Sequence, residues 1–135
     1  MSPEEARERF SLARVARLAT VDVAGRPHLV AIVFALAEET LYSVVDDKPK
    51  RTTDLKRLKN LRANPAASVL VDHYEDADWS TLWWVRADGS ARVLEPDEAE
   101  ACAAVELLLA RYPQQRPMGA VIAVDVERWT HWSVR

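Results

Sequence analysis

Apolar positions along the chain fall mostly into short runs broken by turn chemistry, and three segments carry them at helical spacing instead. The first of these, Pro3 to Arg14, opens with Ser2 as N-cap and Pro3 in the first turn, and Glu4, Glu5 and Glu8 favour the positive end of its dipole. The second, Thr53 to Ala63, places Leu55, Leu58 and Leu61 on one arc and stops at Asn64-Pro65. The third begins at Pro96, turns Ala101, Val105, Leu108 and Leu109 inward, and ends at Tyr112-Pro113.

Strands fill the intervals. Val15 to Val21 alternates apolar with smaller or polar residues, and the turn-rich Asp22 to Pro27 then makes it one arm of a hairpin. The other arm, Leu29 to Leu36, is apolar throughout, as in a central strand covered on both faces. Thr40 to Val45 and Ala67 to Asp72 follow as strands. Leu82 to Arg86 and Ser90 to Leu94 read as a hairpin about Ala87-Asp88-Gly89, where Asp-Gly suits a tight turn, and Gly119 to Val126 with Thr130 to Val134 close the chain. The order α-β-β-β-α-β-β-β-α-β-β, with mostly short connections, predicts a mainly β, α+β fold. An antiparallel sheet of six to eight strands would curl into a barrel to hide its edges, with the helices flanking it. A parallel doubly wound fold would need more helices and a glycine-rich phosphate loop, and the chain has three glycines and no such motif.

Composition narrows the class. With 135 residues, 49% of them hydrophobic, the chain is expected to build one domain around one core. Charges interrupt every hydrophobic run before the ~20 residues a membrane span needs. Met1 to Glu5 also lacks the order of a signal peptide, so a soluble, cytoplasmic protein is expected. One cysteine, Cys102, excludes an internal disulfide or a cysteine-rich zinc site, and its Ala-Cys-Ala-Ala setting suggests helix packing. His28, His73 and His131 have no metal-ligand spacing and read as hydrogen-bonded strand residues, so no metal is expected. No G-x-S-x-G is present, and Cys102 has no activating charges beside it, which argues against nucleophilic catalysis.

The charge distribution is uneven. The window Lys48 to Arg62 holds seven basic residues and one acid, Asp54, a net +6 that leaves −9 on the rest of the chain to reach −3. Lys48, Lys50, Arg51 and Thr52 lead from a strand end into a helix N-terminus, the parts from which a phosphate site is assembled. A solvated basic helix face would show the same residues, and the position directly after a buried strand favours the anion site. The overall negative charge argues against general nucleic-acid binding. Five tryptophans, Trp79, Trp83, Trp84, Trp129 and Trp132, suit core packing, a dimer interface or a flat ring system. Trp83 and Trp84 must face opposite sides of their strand. Chemistry without a nucleophile or metal points to an organic cofactor held and oriented by the protein.

Taken in order, several segments resemble the flavin and deazaflavin oxidoreductases of the pyridoxamine 5′-phosphate oxidase-like split β-barrel superfamily. These are Ala24-Gly25-Arg26-Pro27-His28, Leu41 to Val45 with Asp47 to Arg51, Arg57 to Pro65, and Ser68 to Asp72. The stretch from Asp78-Trp79 through Trp83-Trp84 to Gly89 is similar to the coenzyme F420-dependent branch. The resemblance implies an FMN-binding split-barrel type of fold and a homodimer with cofactor clefts between the subunits. It also implies a phosphate held where Lys48, Lys50, Arg51, Thr52, Lys56 and Arg57 fall, and a ring covered by Trp79 or Trp84 of the other subunit. The implied activity is hydride transfer between coenzyme F420, or alternatively FMN, and a small organic substrate, with Tyr42, His28 or His73 as proton-donor candidates. A non-catalytic split-barrel protein that binds a cofactor or tetrapyrrole is the remaining alternative.

Overall fold

The computed structural model describes residues 1–46 and 52–135. Helix α1 (Pro3–Leu12) leads into β1 (Ala16–Val21), β2 (Pro27–Ile32), β3 (Ala35–Ala37) and β4 (Thr40–Asp46). Helix α2 (Thr52–Ala63), β5 (Ala66–His73), a 3-10 turn (Trp79–Thr81), β6 (Trp83–Leu94), α3 (Ala99–Arg111) and β7 (Pro117–Ser133) follow. The strands form one seven-stranded antiparallel sheet in the order β2-β1-β5-β6-β7-β4-β3.

That order explains the curvature. The two edge strands, β2 and β3, are consecutive in the chain and separated only by Val33 and Phe34, so the sheet must bend round until its edges approach. Phe34 at this junction is fully buried, with its ring 5.2 Å from Phe10 of α1, and Trp129 of β7 meets the same Phe10 edge-on at 5.0 Å. Helix α1 therefore plugs the barrel with one aromatic side chain, worth roughly 1.5–3 kcal/mol of transfer free energy. Ser2 caps it by accepting from the Glu5 amide at 3.1 Å.

The core has two parts. Alternate residues of β1, β5 and β6, including Leu18, Val69, Val71, Val85 and Ala87, point into the barrel with Leu58 and Leu61 of α2. On the outside, α3 lays Ala101, Ala104 and Leu108 over Tyr42, Val44, Leu94, Val121 and Ala123. It thus covers only the half of the outer face made by β4, β7 and the end of β6. The other half, across β2, β1, β5 and the start of β6, has no covering element among the described residues.

Several sequence expectations change. The supposed hairpin at Ala87-Asp88-Gly89 is the middle of a continuous strand, β6, and the two closing strands are likewise one, β7. A register shift at Asp88/Gly89 lets β7 carry the extra residue Glu127, and Gly89 has no positive φ. Two long strands bent at a bulge and two hairpin arms carry nearly the same local pattern. The apolar run Leu29 to Leu36 is no covered central strand: it divides into β2 and β3 at the two sheet edges, and Leu29 is 66% exposed. In α3, Ala104 is buried where Leu109 was expected, and Cys102 is exposed, its thiol 3.6 Å from the Pro96 carbonyl. No described helix is long and apolar enough to cross a membrane.

Candidate cofactor site

Asp22 organises the end of β1. Its Oδ1 accepts from the amides of Ala24 (2.9 Å) and Arg26 (2.8 Å), closing the turn in which Gly25 adopts φ 83°. Its Oδ2 accepts from Arg26 Nε (3.1 Å) and faces Lys56 Nζ of α2 at 3.5 Å. The backbone amide of Arg26 above all, then its guanidinium and the Ala24 amide, hold the Asp22 carboxyl down to about 2. One turn further along α2, Asn60 Nδ2 donates to Thr20 Oγ1 at 3.1 Å, and both residues are buried. Among the described residues, an ion pair and a buried hydrogen bond thus tie the basic helix to the end of β1.

Two depressions lie on the uncovered half of the sheet. The first, about 490 Å³, is floored by small residues, Ala19, Ala66, Ala67, Ser68 and Gly89, and bounded by Thr20, Val21, Pro27, Asp88, Glu127 and Arg128. Val21 immediately precedes Asp22, so the groove begins one residue before the Lys56 anchor in the chain, and neither Asp22 nor Lys56 lines it. The second, about 430 Å³, is mainly apolar and lined by Leu70, Tyr74, Trp83, Trp84 and Trp132 with Asp72, His73 and Arg86. Between them Asp88 accepts from Ser68 Oγ (2.6 Å) and Arg86 Nε (3.1 Å), and Arg17 faces Asp72 at 3.5 Å.

The residues singled out from sequence separate into two groups. Lys48, Lys50 and Arg51 lie outside the described residues, and Thr52 opens α2. Lys56 is half-exposed at Asp22, whereas Arg57 is turned inward and only 7% exposed. Trp84 sits at the other end of β6 on the outer face, cross-strand from Trp132 and with the Arg86 guanidinium 5.8 Å from its ring. Trp79, 63% exposed, meets Tyr74 edge-on at 6.3 Å. Sequence reasoning left out Asp22, Thr20 and Asn60, which become partners only when β1 meets α2. It counted Trp132 without pairing it, although strand parity from Trp84 is enough once β6 and β7 are known to be neighbours.

Of the proton-donor candidates, Tyr42 lies beneath α3, where its hydroxyl donates to Glu100 at 2.7 Å, and burial first, then Glu100, pushes it up to about 12. His28 is on β2 with Nδ1 buried and without a hydrogen-bond partner among the described residues, and His73 stacks on Trp83 at 6.1 Å. No group of three or more metal-ligating side chains occurs among the described residues.

A curled antiparallel sheet split between two consecutive edge strands, with one helix inside its rim and half its outer face bare, defines a split β-barrel. The sequence matches the pyridoxamine 5′-phosphate oxidase family over residues 2–133, and the chain belongs to that family. Among solved structures, a conserved hypothetical protein from Mycobacterium tuberculosis superposes with a TM-score of 0.78 at 23% identity, over 100% of this chain and 86% of that one. An FAD-binding protein from Mesorhizobium loti gives 0.73 at 23% identity, over 97% and 94%. The heme storage protein HutZ from Vibrio cholerae gives 0.73 at 18% identity, over 97% and 93%. At these identities the likeness fixes the fold. No curated protein sequence matches the chain.

Proposed function

We propose that this protein is an oxidoreductase that works as a homodimer and binds a phosphate-bearing coenzyme of the flavin type, F420 in preference to FMN, in clefts between the two copies. The observation that carries this reading is Lys56, anchored on Asp22, the residue that follows Val21 at the edge of a groove floored by alanine, serine and glycine. Small side chains leave room for a flat body against the sheet, and the ammonium supplies a positive end. The residues fit such a coenzyme: Lys56, with Lys48, Lys50, Arg51 and Thr52 preceding it in the chain, is of the donor types that phosphate oxygens take, while the buried Arg57 adds positive charge behind them. The +6 window is broader than a single phosphate needs, which favours the more acidic coenzyme F420. The FAD-binding relative supports a flavin-type ligand.

Leu29 and Leu70 are exposed large hydrophobics on the bare face, and a second copy laid there would remove them from water and roof the groove. When bound, the coenzyme would supply hydride exchange at its ring. The chain's own part is to clasp the anionic end, exclude water from the cleft, and present Trp79 or Trp84 of the other copy as a ring cover.

Parallel fluorescence titrations with F420 and FMN test this. Lys50→Ala combined with Arg51→Ala is expected to weaken binding well over tenfold, at ~1.5–3 kcal/mol per charge-assisted bond. Unchanged affinity in the double variant refutes the phosphate assignment. The second reading, a non-catalytic protein that binds a cofactor or tetrapyrrole, draws on His73 at the Trp84–Trp132 cavity and on the fold shared with HutZ. It requires ligand binding without any reductant-linked turnover.

A further inference from the structure

We propose that the junction where α1 and α3 end is a binding site for a compact oxyanion, a phosphate or a carboxylate, received by the guanidinium groups of Arg14 and Arg111. Arg14 follows Ala13, the C-cap of α1, and Arg111 closes α3. Both pack on Tyr112, with their Cζ atoms 4.5 and 5.3 Å from the centre of its ring.

These cations are held in place without being neutralised. Arg14 donates to the Arg111 carbonyl at 2.8 Å and Arg111 donates to the Ala13 carbonyl, so each spends one of its five N–H groups on backbone beside the other. Among the described residues neither faces a carboxylate, whereas Arg7, Arg17, Arg86 and Arg92 each do. The carbonyl end of α3 sets roughly half a negative charge against two positive ones. Burial above all lowers the Arg111 guanidinium from its ordinary value, and the positive charge of Arg14 lowers it further. An anion between the two would relieve that repulsion.

The pair is also preorganised. The Tyr112 hydroxyl accepts from the Phe34 amide at 3.4 Å and has the Phe34 and Arg14 carbonyl oxygens within donating reach, at 3.0 and 3.1 Å, which fixes its ring. Arg111 packs against Phe34 as well, its Cζ 4.9 Å from the centre of that fully buried ring. A guanidinium confined in this way has little rotamer freedom left to lose when a ligand arrives. Its planar fork matches the paired oxygens of phosphate and carboxylate, which a halide lacks. The junction is separate from the coenzyme reading. Ala16 begins β1 here, whereas Thr20 and Asp22, which hold α2, stand near and just beyond the other end of that strand. Neither arginine lines either depression on the bare face.

The Nε–H resonances of the two arginines, followed by heteronuclear NMR during titration with inorganic phosphate, acetate and chloride at matched ionic strength, read the groups directly. Phosphate or acetate is expected to shift Arg14 and Arg111 along one saturating curve with a common midpoint, about tenfold or more below that of chloride. Whichever of the two has the lower midpoint identifies the oxyanion. Arg14→Gln, at an exposed position, is expected to raise the midpoint read at Arg111 by about fivefold or more. Lys50→Ala with Arg51→Ala, which removes charges assigned to the coenzyme, is expected to leave it unchanged. Linear drift without saturation, different midpoints at the two arginines, or an unaltered Arg111 curve in Arg14→Gln overturns the proposal. Saturation lost in the Lys50 and Arg51 double variant overturns the separation from the coenzyme site.

Discussion

The Asn60 amide donates to the Thr20 hydroxyl at 3.1 Å, and both side chains are shut away from water between α2 and β1. In a barrel lined by leucine and valine this bond fixes the axial position of α2, because a one-residue slide would leave both groups buried and unpaired. Asn60→Ala is expected to cost about 1–3 kcal/mol in urea unfolding, with the Thr20 hydroxyl left unsatisfied. Combining Thr20→Val with Asn60→Leu should cost less than the two single changes together, by ~0.5–3 kcal/mol of coupling. Strict additivity would mean that the bond does not set the position of the helix.

Lys56 separates stability from binding. Its ammonium faces Asp22 across 3.5 Å, but the side chain is 45% exposed, and pairs of this kind contribute about 0–1 kcal/mol. Asp22 keeps its three other donors, two backbone amides and the Arg26 guanidinium, when Lys56 is removed. Lys56→Ala should therefore leave the unfolding midpoint almost unchanged and reduce coenzyme affinity by roughly tenfold. A large loss of stability with unaltered coenzyme binding would make Lys56 a structural residue only.

The sequence made some of this legible and hid the rest for physical reasons. Helix positions could be read because Ser2, Pro3 and the Asn64-Pro65 stop are local signals. The opposite facing of Trp83 and Trp84 followed from strand parity, and in the structure Trp83 packs on the barrel core while Trp84 does not, although both edge the same cavity. The bend of β7 at Glu127 and the meeting of Asp22 with Lys56 depend on which strands become neighbours, and no local pattern carries that information. The bare sheet face was misread for a related reason: Leu29 and Ala31 look like core residues in sequence because the run from Leu29 to Leu36 is apolar throughout, yet among the described residues nothing covers them.

Gly89 and Gly25 are both constrained, in different ways. A Cβ at Gly89 would land on the Asp125 carbonyl oxygen and lie 2.9 Å from its carbon, both backbone atoms of the bulged partner strand. Gly25 has open space around it but holds φ 83°. Gly89→Ala is expected to destabilise by about 1–3 kcal/mol as the bulge is forced apart. Gly25→Ala should cost ~1–2 kcal/mol from backbone conformation alone, and Gly25→Asn should recover part of it, whereas asparagine at position 89 should be worse than alanine. Unfolding midpoints of the four variants distinguish steric from conformational cost.

Acid should loosen α3 first. Arg92 donates to Glu100 through both terminal nitrogens, at 2.7 and 2.9 Å, and to Asp125 at 2.6 and 3.0 Å, tying the helix to β6 and β7. The Arg92 guanidinium, then the Tyr42 hydroxyl, hold Glu100 down from its ordinary 4.5 to about 2, and Arg92 lowers Asp125 as well. Because the folded-state values are depressed, the unfolded chain takes up protons first as the pH falls. The contribution is complete above the ordinary carboxylate range and disappears as the pH drops toward about 2. Tyr42 gives the opposite limb: with its hydroxyl raised from 10.0 to about 12, the folded protein keeps a proton that the unfolded chain releases, so stability falls as the pH rises between those values. Urea midpoints measured across both ranges should slope downward at each end. Glu100→Gln should flatten the acid limb and Tyr42→Phe the alkaline one. Curves parallel to wild type in both variants would show that this network does not hold α3 to the sheet.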